Sequence, residues 1–200
     1  MGRLRPAIVT LLFLLGAVSL AACASGGSTG AAGPGAATAA HQDQGPSGDI
    51  PDSATYLVFH GTRYSLEYVE GWVQQVQPGD GVRFSDKDSF ISVSLQAMPQ
   101  ISLDTYAHGP GMTASAAEFQ QFSGPSVQSV TLPAGAAALL TFQGLSAPDP
   151  VTGKTVTLAI NRYYIPGPNA LAVLTEASPV GVDNVDGFRR IAQRYTWSGQ

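Results

Sequence analysis

The side chains that could do chemistry in this 200-residue chain are few and scattered. There are three histidines, His41, His60 and His108, and one cysteine, Cys23. Two histidines on a folded domain can serve as acid and base or hold a metal. Here His60 falls in a predicted hairpin turn and His108 beside Gly109-Pro110-Gly111. Neither has a carboxylate or cysteine companion at metal-site spacing. Asp80, Asp86 and Asp88 are close in sequence, and clustered carboxylates can hold Ca²⁺ or Mn²⁺. However, Lys87 divides the last two and the EF-hand spacing is missing, so a polar hairpin turn is the expectation. Asp183 and Asp186 read as helix N-terminal residues. Gly26-Gly27-Ser28-Thr29-Gly30 matches the G-x-S-x-G pattern of an esterase elbow, which needs a strand before it and a helix after it. Its flanks are Gly, Ala and Ser, and supply neither. No Walker glycine loop, H-E-x-x-H or dinucleotide fingerprint occurs. The sequence therefore predicts no catalytic residue, no metal site and no cofactor.

The lone cysteine has a different chemistry. One thiol excludes an intrachain disulfide and a cysteine-based zinc site. Arg3 and Arg5 precede an apolar stretch from Ala7 to Leu20. That stretch is shorter than the ~20 residues of a transmembrane helix and has the length of a signal-peptide core. Leu20-Ala21-Ala22-Cys23 follows, and resembles the lipobox of bacterial lipoproteins. The resemblance implies diacylglyceryl transfer to the Cys23 thiol and cleavage just before it. Two or three acyl chains, at ~0.8 kcal/mol per buried methylene, would hold the chain in a membrane essentially permanently. Residues 1–22 are thus predicted to be a signal peptide, and residues 23–52 the lipid-anchored cysteine with its tether.

From Ala24 to about Pro51 the chain is Gly, Ala, Ser, Thr and Pro, with hardly an apolar side chain larger than Ala. Such a segment cannot bury enough to offset its ordering entropy and is expected to be a flexible spacer. Its root-mean-square reach would be ~30 Å. Residues 53–200 are left for one domain, long enough for a self-sufficient core. Charged residues are 12% of the chain, about half of the usual ~25%. The formal net charge is −4, and loss of Arg3 and Arg5 would take it two units lower. No cationic cluster suits nucleic acid, so no nucleic-acid partner is expected.

Within the domain, two-residue alternation predicts strands at 55–59, 63–68, 72–77, 82–85 and 90–98. In the last of these, Phe90, Ser92, Ser94 and Gln96 oppose Ile91, Val93, Leu95 and Ala97. Pro78-Gly79-Asp80-Gly81 is turn chemistry. A short helix with Ser102 as N-cap is expected over 102–108, and a second over 114–122. Strands follow at 127–132, 136–145, 154–165 and 170–177, the last two a hairpin around Pro166-Gly167-Pro168-Asn169. Asp183 is expected to cap a final helix with Val185, Phe188, Ile191, Ala192 and Tyr195 on its apolar face. Trp72, Tyr64 and Tyr68 read as core packing. One of Tyr163 and Tyr164, on opposite strand faces, is expected at the surface as a partner anchor. Adjacent hairpins with helices between them predict an α+β domain, an antiparallel sheet flanked by helices.

Tyr64-Ser65-Leu66-Glu67-Tyr68-Val69-Glu70-Gly71-Trp72 resembles the opening signature of the PsbP-like/Mog1-like superfamily, with Val69 where proline is usual. The order of elements that follows is also similar, down to the final helix and its aromatic pair, Tyr195 and Trp197. The resemblance spans about residues 54–198. It implies an α/β/α sandwich and an accessory role by interaction rather than catalysis. The expected function is a non-catalytic accessory or protein-interaction module of the cell envelope. It would be anchored by lipid on the extracytoplasmic side of the bacterial cell membrane, with an envelope protein as partner. The alternative is a lipoprotein that binds a small molecule or metal in a sheet–helix cleft.

Overall fold

Alternation along the long strands sorts side chains onto two sheet faces with different coverings. The computed structural model describes residues 48–199. The elements are β1 (Tyr56–His60), β2 (Tyr64–Val69), β3 (Val73–Gln77), β4 (Gly81–Asp86), β5 (Ser89–Gln96), α1 (Leu103–Tyr106), a π-helical stretch (Ala107–Gly111), α2 (Met112–Glu118), β6 (Ser123–Leu132), β7 (Gly135–Leu145), β8 (Thr157–Pro166), β9 (Leu171–Pro179), α3 (Val185–Arg194) and β10 (Thr196–Trp197). Seven strands form one antiparallel sheet in the order β3-β4-β5-β9-β8-β7-β6. A second sheet has the order β1-β2-β10. The expected signal segment, Cys23, Gly26–Gly30, His41 and most of the expected tether lie outside the described residues. No helix among the described residues is long and apolar enough to cross a membrane.

One face of the large sheet presents Val82, Phe84, Ile91, Val93, Ile165, Ala172 and Leu174. It is covered by Phe188, Ile191 and Ala192 of α3 and by Tyr64 and Leu66 of the small sheet. The chain end closes this layer. Tyr195 stacks on Tyr64 with centroids 5.6 Å apart, and Trp197 meets Tyr195 edge-on at 5.6 Å. Trp197 is also the register partner of Tyr64. The opposite face presents Phe90, Leu140, Phe142, Leu158, Ile160, Tyr164, Leu171 and Ala177 toward the α1–α2 segment, whose Ala107 is buried against them, and toward Phe119. The architecture is α+β, with helices on both faces and a three-stranded sheet sharing one of them.

Several expectations need correction. Gly109-Pro110-Gly111 does not separate two helices: the chain passes through it in a π-helical stretch. The wider turn accommodates Pro110, which has no N–H to give. Gly111 is required there, because a Cβ would lie 2.8 Å from the Tyr164 ring. Ser102 does cap α1, accepting from the Thr105 N–H at 3.1 Å. Helix α2 ends at Glu118, short of Phe122, because Phe119 is extended and turns its ring onto Phe142.

Asp183 is not the cap of α3. The N-cap is Asn184, whose side chain serves another segment. Its Oδ1 accepts the Ile50 N–H at 2.7 Å and its Nδ2 donates to the Gly48 carbonyl at 2.9 Å. Ser89 also donates to the Gly48 carbonyl. Ile50 is buried in the core cluster. Residues 48–50 therefore belong to the folded domain and not to the tether, so the boundary expected at 52/53 lies further upstream. One apolar side chain and one amide suffice to dock the segment, which composition averaged over 28 residues conceals. Val185 is exposed rather than on the apolar face of α3. Tyr163 and Tyr164 are both buried, because both faces of the sheet are covered there. Trp72 is only partly buried, packed on the core margin at the start of edge strand β3.

Candidate functional site

Sheet register assembles a polar row on the face that α1 and α2 cover. Arg83 on β4 pairs with Ser92 on β5. Ser92 pairs with Thr175 on β9, and Thr175 with Arg162 on β8. Two arginines thus bracket two hydroxyls across four adjacent strands. At the usual strand spacing their Cα atoms are roughly 14 Å apart. The next row along the strands is Ser94, Val173 and Tyr164. Helices α1 and α2 lie over the β7–β8 side of this face and leave the β4–β5 side open.

Arg162 is fixed at the closed end of the row. Its guanidinium is 6% exposed and donates Nε to Thr175 Oγ1 at 3.0 Å and NH1 to Ser115 Oγ at 2.9 Å. Its NH2 donates to Glu118 Oε2 at 2.7 Å. Ser115 in turn donates to the Gly111 carbonyl and meets Tyr164 OH at 3.4 Å. The rings of Phe119 and Phe142 lie near the same guanidinium. Burial raises the Tyr164 phenol above its ordinary value, partly opposed by Ser115 and Arg162. This is a satisfied buried cation, as burial of charge demands.

Arg83 is held differently. Its guanidinium lies 3.5 Å from the centroid of Phe90, a close cation–π contact. Among the described residues no carboxylate comes within ion-pair distance of it. Partial burial lowers its pKa, with the nearby Glu118 charge opposing that shift. Arg83 stands where two clefts meet. One, of about 420 Å³, is lined by Arg83, Ser92, Ser94, Gln96, Tyr106, Glu118 and Arg162 among others. The other, of about 700 Å³, runs past Phe90, Lys87, Asp88, Glu118 and the 145–150 loop. Gln96 Nε2 donates to Tyr106 OH at 2.7 Å across the first cleft, leaving the Tyr106 proton free to donate.

The residues singled out in the sequence do not converge here. His60 ends β1 and is exposed. His108 is exposed on the π-helical stretch, with Nδ1 3.0 Å from the Asp104 carbonyl and 3.4 Å from its carboxylate. Neither lines either cleft. Asp80 is a corner brace: it accepts from the Thr62 and Arg63 N–H groups, and its carbonyl accepts from Tyr64 OH. Asp86 and Asp88 flank Lys87 in the β4–β5 turn, where Lys87 has φ 52°. Asp183 accepts from the Val185 N–H, and Asp186 pairs with Arg189. Among the described residues no three of His, Cys, Asp and Glu come together as a metal cluster would require.

Arg83 and Arg162 were missed as site residues, although a signal existed for one. Ile160, Arg162 and Tyr164 share a strand face, so alternation aims Arg162 into the interior beside apolar neighbours. The serines of β5 give no such signal, because alternation places them on one side of the strand without showing that a helix roofs half of that face.

No protein-family model and no curated protein matches the chain. Among solved structures the fold is similar to the solution structure of cyanobacterial PsbP (CyanoP) from Synechocystis sp. PCC 6803. The TM-score is 0.52 at 15% identity, over 76% of this chain and 99% of that one. The α+β fold is thus PsbP-like.

Proposed function

We propose that this chain is a lipoprotein, anchored through Cys23 on the extracytoplasmic side of the bacterial cell membrane, whose domain is a non-catalytic accessory module for an envelope protein. The observation that carries the non-catalytic part is the make-up of the polar row. It consists of two arginines and two hydroxyls, Arg83, Ser92, Thr175 and Arg162. The nearby Ser115 is tied to Arg162 and a carbonyl rather than to a base, and the one carboxylate beside the row, Glu118, is engaged by Arg162. The segment from Arg3 to Cys23 supports the address, and the PsbP-like fold agrees with the accessory role that the superfamily resemblance implies.

The test is photo-cross-linking in intact cells, with the cross-linker placed at exposed Val76 on edge strand β3. A discrete adduct that is lost in Cys23→Ala is the expected result. Turnover of 4-nitrophenyl acetate or phosphate by the purified chain, abolished by Ser115→Ala or His108→Ala, would overturn the reading. The 420 Å³ cleft favours a second reading, a small-molecule binder. Its cationic ends favour an anion over a metal ion.

A further inference from the structure

The two arginines of the polar row invite direct comparison. They lie on one face, in one register row, at opposite ends of the Ser92–Thr175 pair. Arg162 has a complete set of partners, including the Glu118 carboxylate at 2.7 Å. Arg83 has an aromatic ring beneath it and no carboxylate at ion-pair distance among the described residues. A partly buried guanidinium has lost water that a cation–π contact replaces only in part. Arg162 shows what full compensation looks like, and the carboxylate that could also have served Arg83 is committed elsewhere. We infer that the open end of this row binds an oxyanion, the phosphate or carboxylate group of a small hydrophilic ligand, with Arg83 as its principal counter-charge and the Ser92 and Ser94 hydroxyls as further donors.

The surroundings fit that class. Arg83 lines both clefts, and the smaller one suits an anion better: its charged lining is Arg83, Arg162 and the Arg162-bound Glu118, whereas the larger one adds the Asp88 and Asp149 carboxylates. The guanidinium fork matches two oxygens of a phosphate or carboxylate, a geometry that a lysine ammonium lacks. The Phe90 contact is made through the guanidinium carbon, 3.5 Å from the ring centroid, and a cation–π contact of this kind uses none of the five N–H donors as a hydrogen bond. The inference rests on the small-molecule reading of the cleft and is independent of the partner cross-link at Val76, so either can fail alone.

The experiment uses the full chain carrying Cys23→Ala, titrated calorimetrically with potassium phosphate at constant ionic strength. Wild-type Arg83 is expected to give saturable binding. Arg83→Gln should weaken it about tenfold or more, the loss expected for one charge-assisted contact. Arg83→Lys should restore part of it, and Arg190→Gln, which removes an exposed cation paired with Glu67, should leave it unchanged. Thermal melts of each variant establish that the fold is kept. Phosphatidylcholine vesicles with and without phosphatidylglycerol separate the two sources of the anion. Arg83-dependent binding to the anionic vesicles assigns a lipid headgroup, and binding of free phosphate alone assigns a soluble anion. Absence of saturable phosphate binding, or equal binding by wild type and Arg83→Gln, overturns the inference.

Discussion

Arg162 donates to Glu118 across the sheet–helix junction with very unequal burial: the guanidinium side chain is 6% exposed and the carboxylate side chain 56%. The consequences of cutting the pair from either side should therefore differ. Glu118→Ala leaves Arg162 with Ser115 and Thr175, and water can reach the vacated position. Its cost should be about 1 kcal/mol, as for a largely solvated pair. Arg162→Ala strips Ser115 and Thr175 of a donor and empties a position among Phe119 and Phe142. It should cost about 3 kcal/mol or more. Urea unfolding of both single variants checks the order. Equal losses would show that the ion pair, and not the buried network, carries the stability.

Glu176 lies on the other face of β9, fully buried, with neither carboxylate oxygen hydrogen-bonded among the described residues. Its register partners are Ile91 and Asn161. Burial raises its pKa well above the ordinary carboxyl range, with only Asn161 opposing. The folded state therefore keeps a proton that the unfolded chain releases near pH ~4.3. Between that pH and the raised folded pKa, stability falls as pH rises. Glu176→Gln removes this slope. The variant should match wild type near pH 4 and melt progressively higher than it as the pH rises from 5 toward the raised folded value. Parallel pH–stability curves would show that Glu176 is compensated in the fold. Tyr163, whose phenol is acted on by both Glu176 and Arg189, is the group to examine next.

The strand pattern, the closing helix and the Ser102 cap were legible because each depends on near neighbours in the chain. The long hairpin of β8 and β9 is legible from alternation and its Pro-Gly-Pro-Asn turn. What could not be read is whatever depends on a covering element. Tyr163 and Tyr164 look alternately inside and outside, yet a sheet roofed on both faces buries both. The Arg83–Ser92–Thr175–Arg162 row draws on residues up to 92 positions apart, and only the strand order β4-β5-β9-β8 makes them neighbours. The docked Gly48–Ile50 segment was concealed for the same reason, its partner being Asn184.

That docking predicts where the chain can be shortened. A chain starting at Gln42 keeps Gly48, Ile50 and their bonds to Asn184 and Ser89. It should melt within a degree or two of the full chain, since the composition before it forms no core. A chain starting at Ser53 exposes the face that Ile50 covers and leaves the buried Asn184 amide with only its long bond to Ser89 Oγ, at 3.4 Å. The loss should be about 3 kcal/mol, from one buried aliphatic side chain and two hydrogen bonds. Differential scanning calorimetry of the two truncations decides it. Equal melting temperatures would show that the segment's contacts are not stabilising. Ile50→Ala in the full chain should reproduce most of the effect, separating side-chain burial from the backbone bonds.

Lipidation at Cys23 is the prediction on which the proposed address depends. The thiol follows Leu20-Ala21-Ala22, behind an apolar stretch too short to span a bilayer. None of the helices in the described domain is long and apolar enough to cross a membrane. Expressed in a bacterial host, the wild-type chain should partition into the detergent phase of a Triton X-114 extraction and incorporate labelled palmitate. The Cys23→Ala variant should do neither and should remain unprocessed at the lipobox, because cleavage there requires the acylated thiol. Its folded domain should be unchanged, as Cys23 lies 25 positions before the first described residue. Detergent partition of both variants to the same extent would refute lipid anchoring. Soluble Cys23→Ala protein cut after Ala22 would show an ordinary signal peptide with an incidental cysteine.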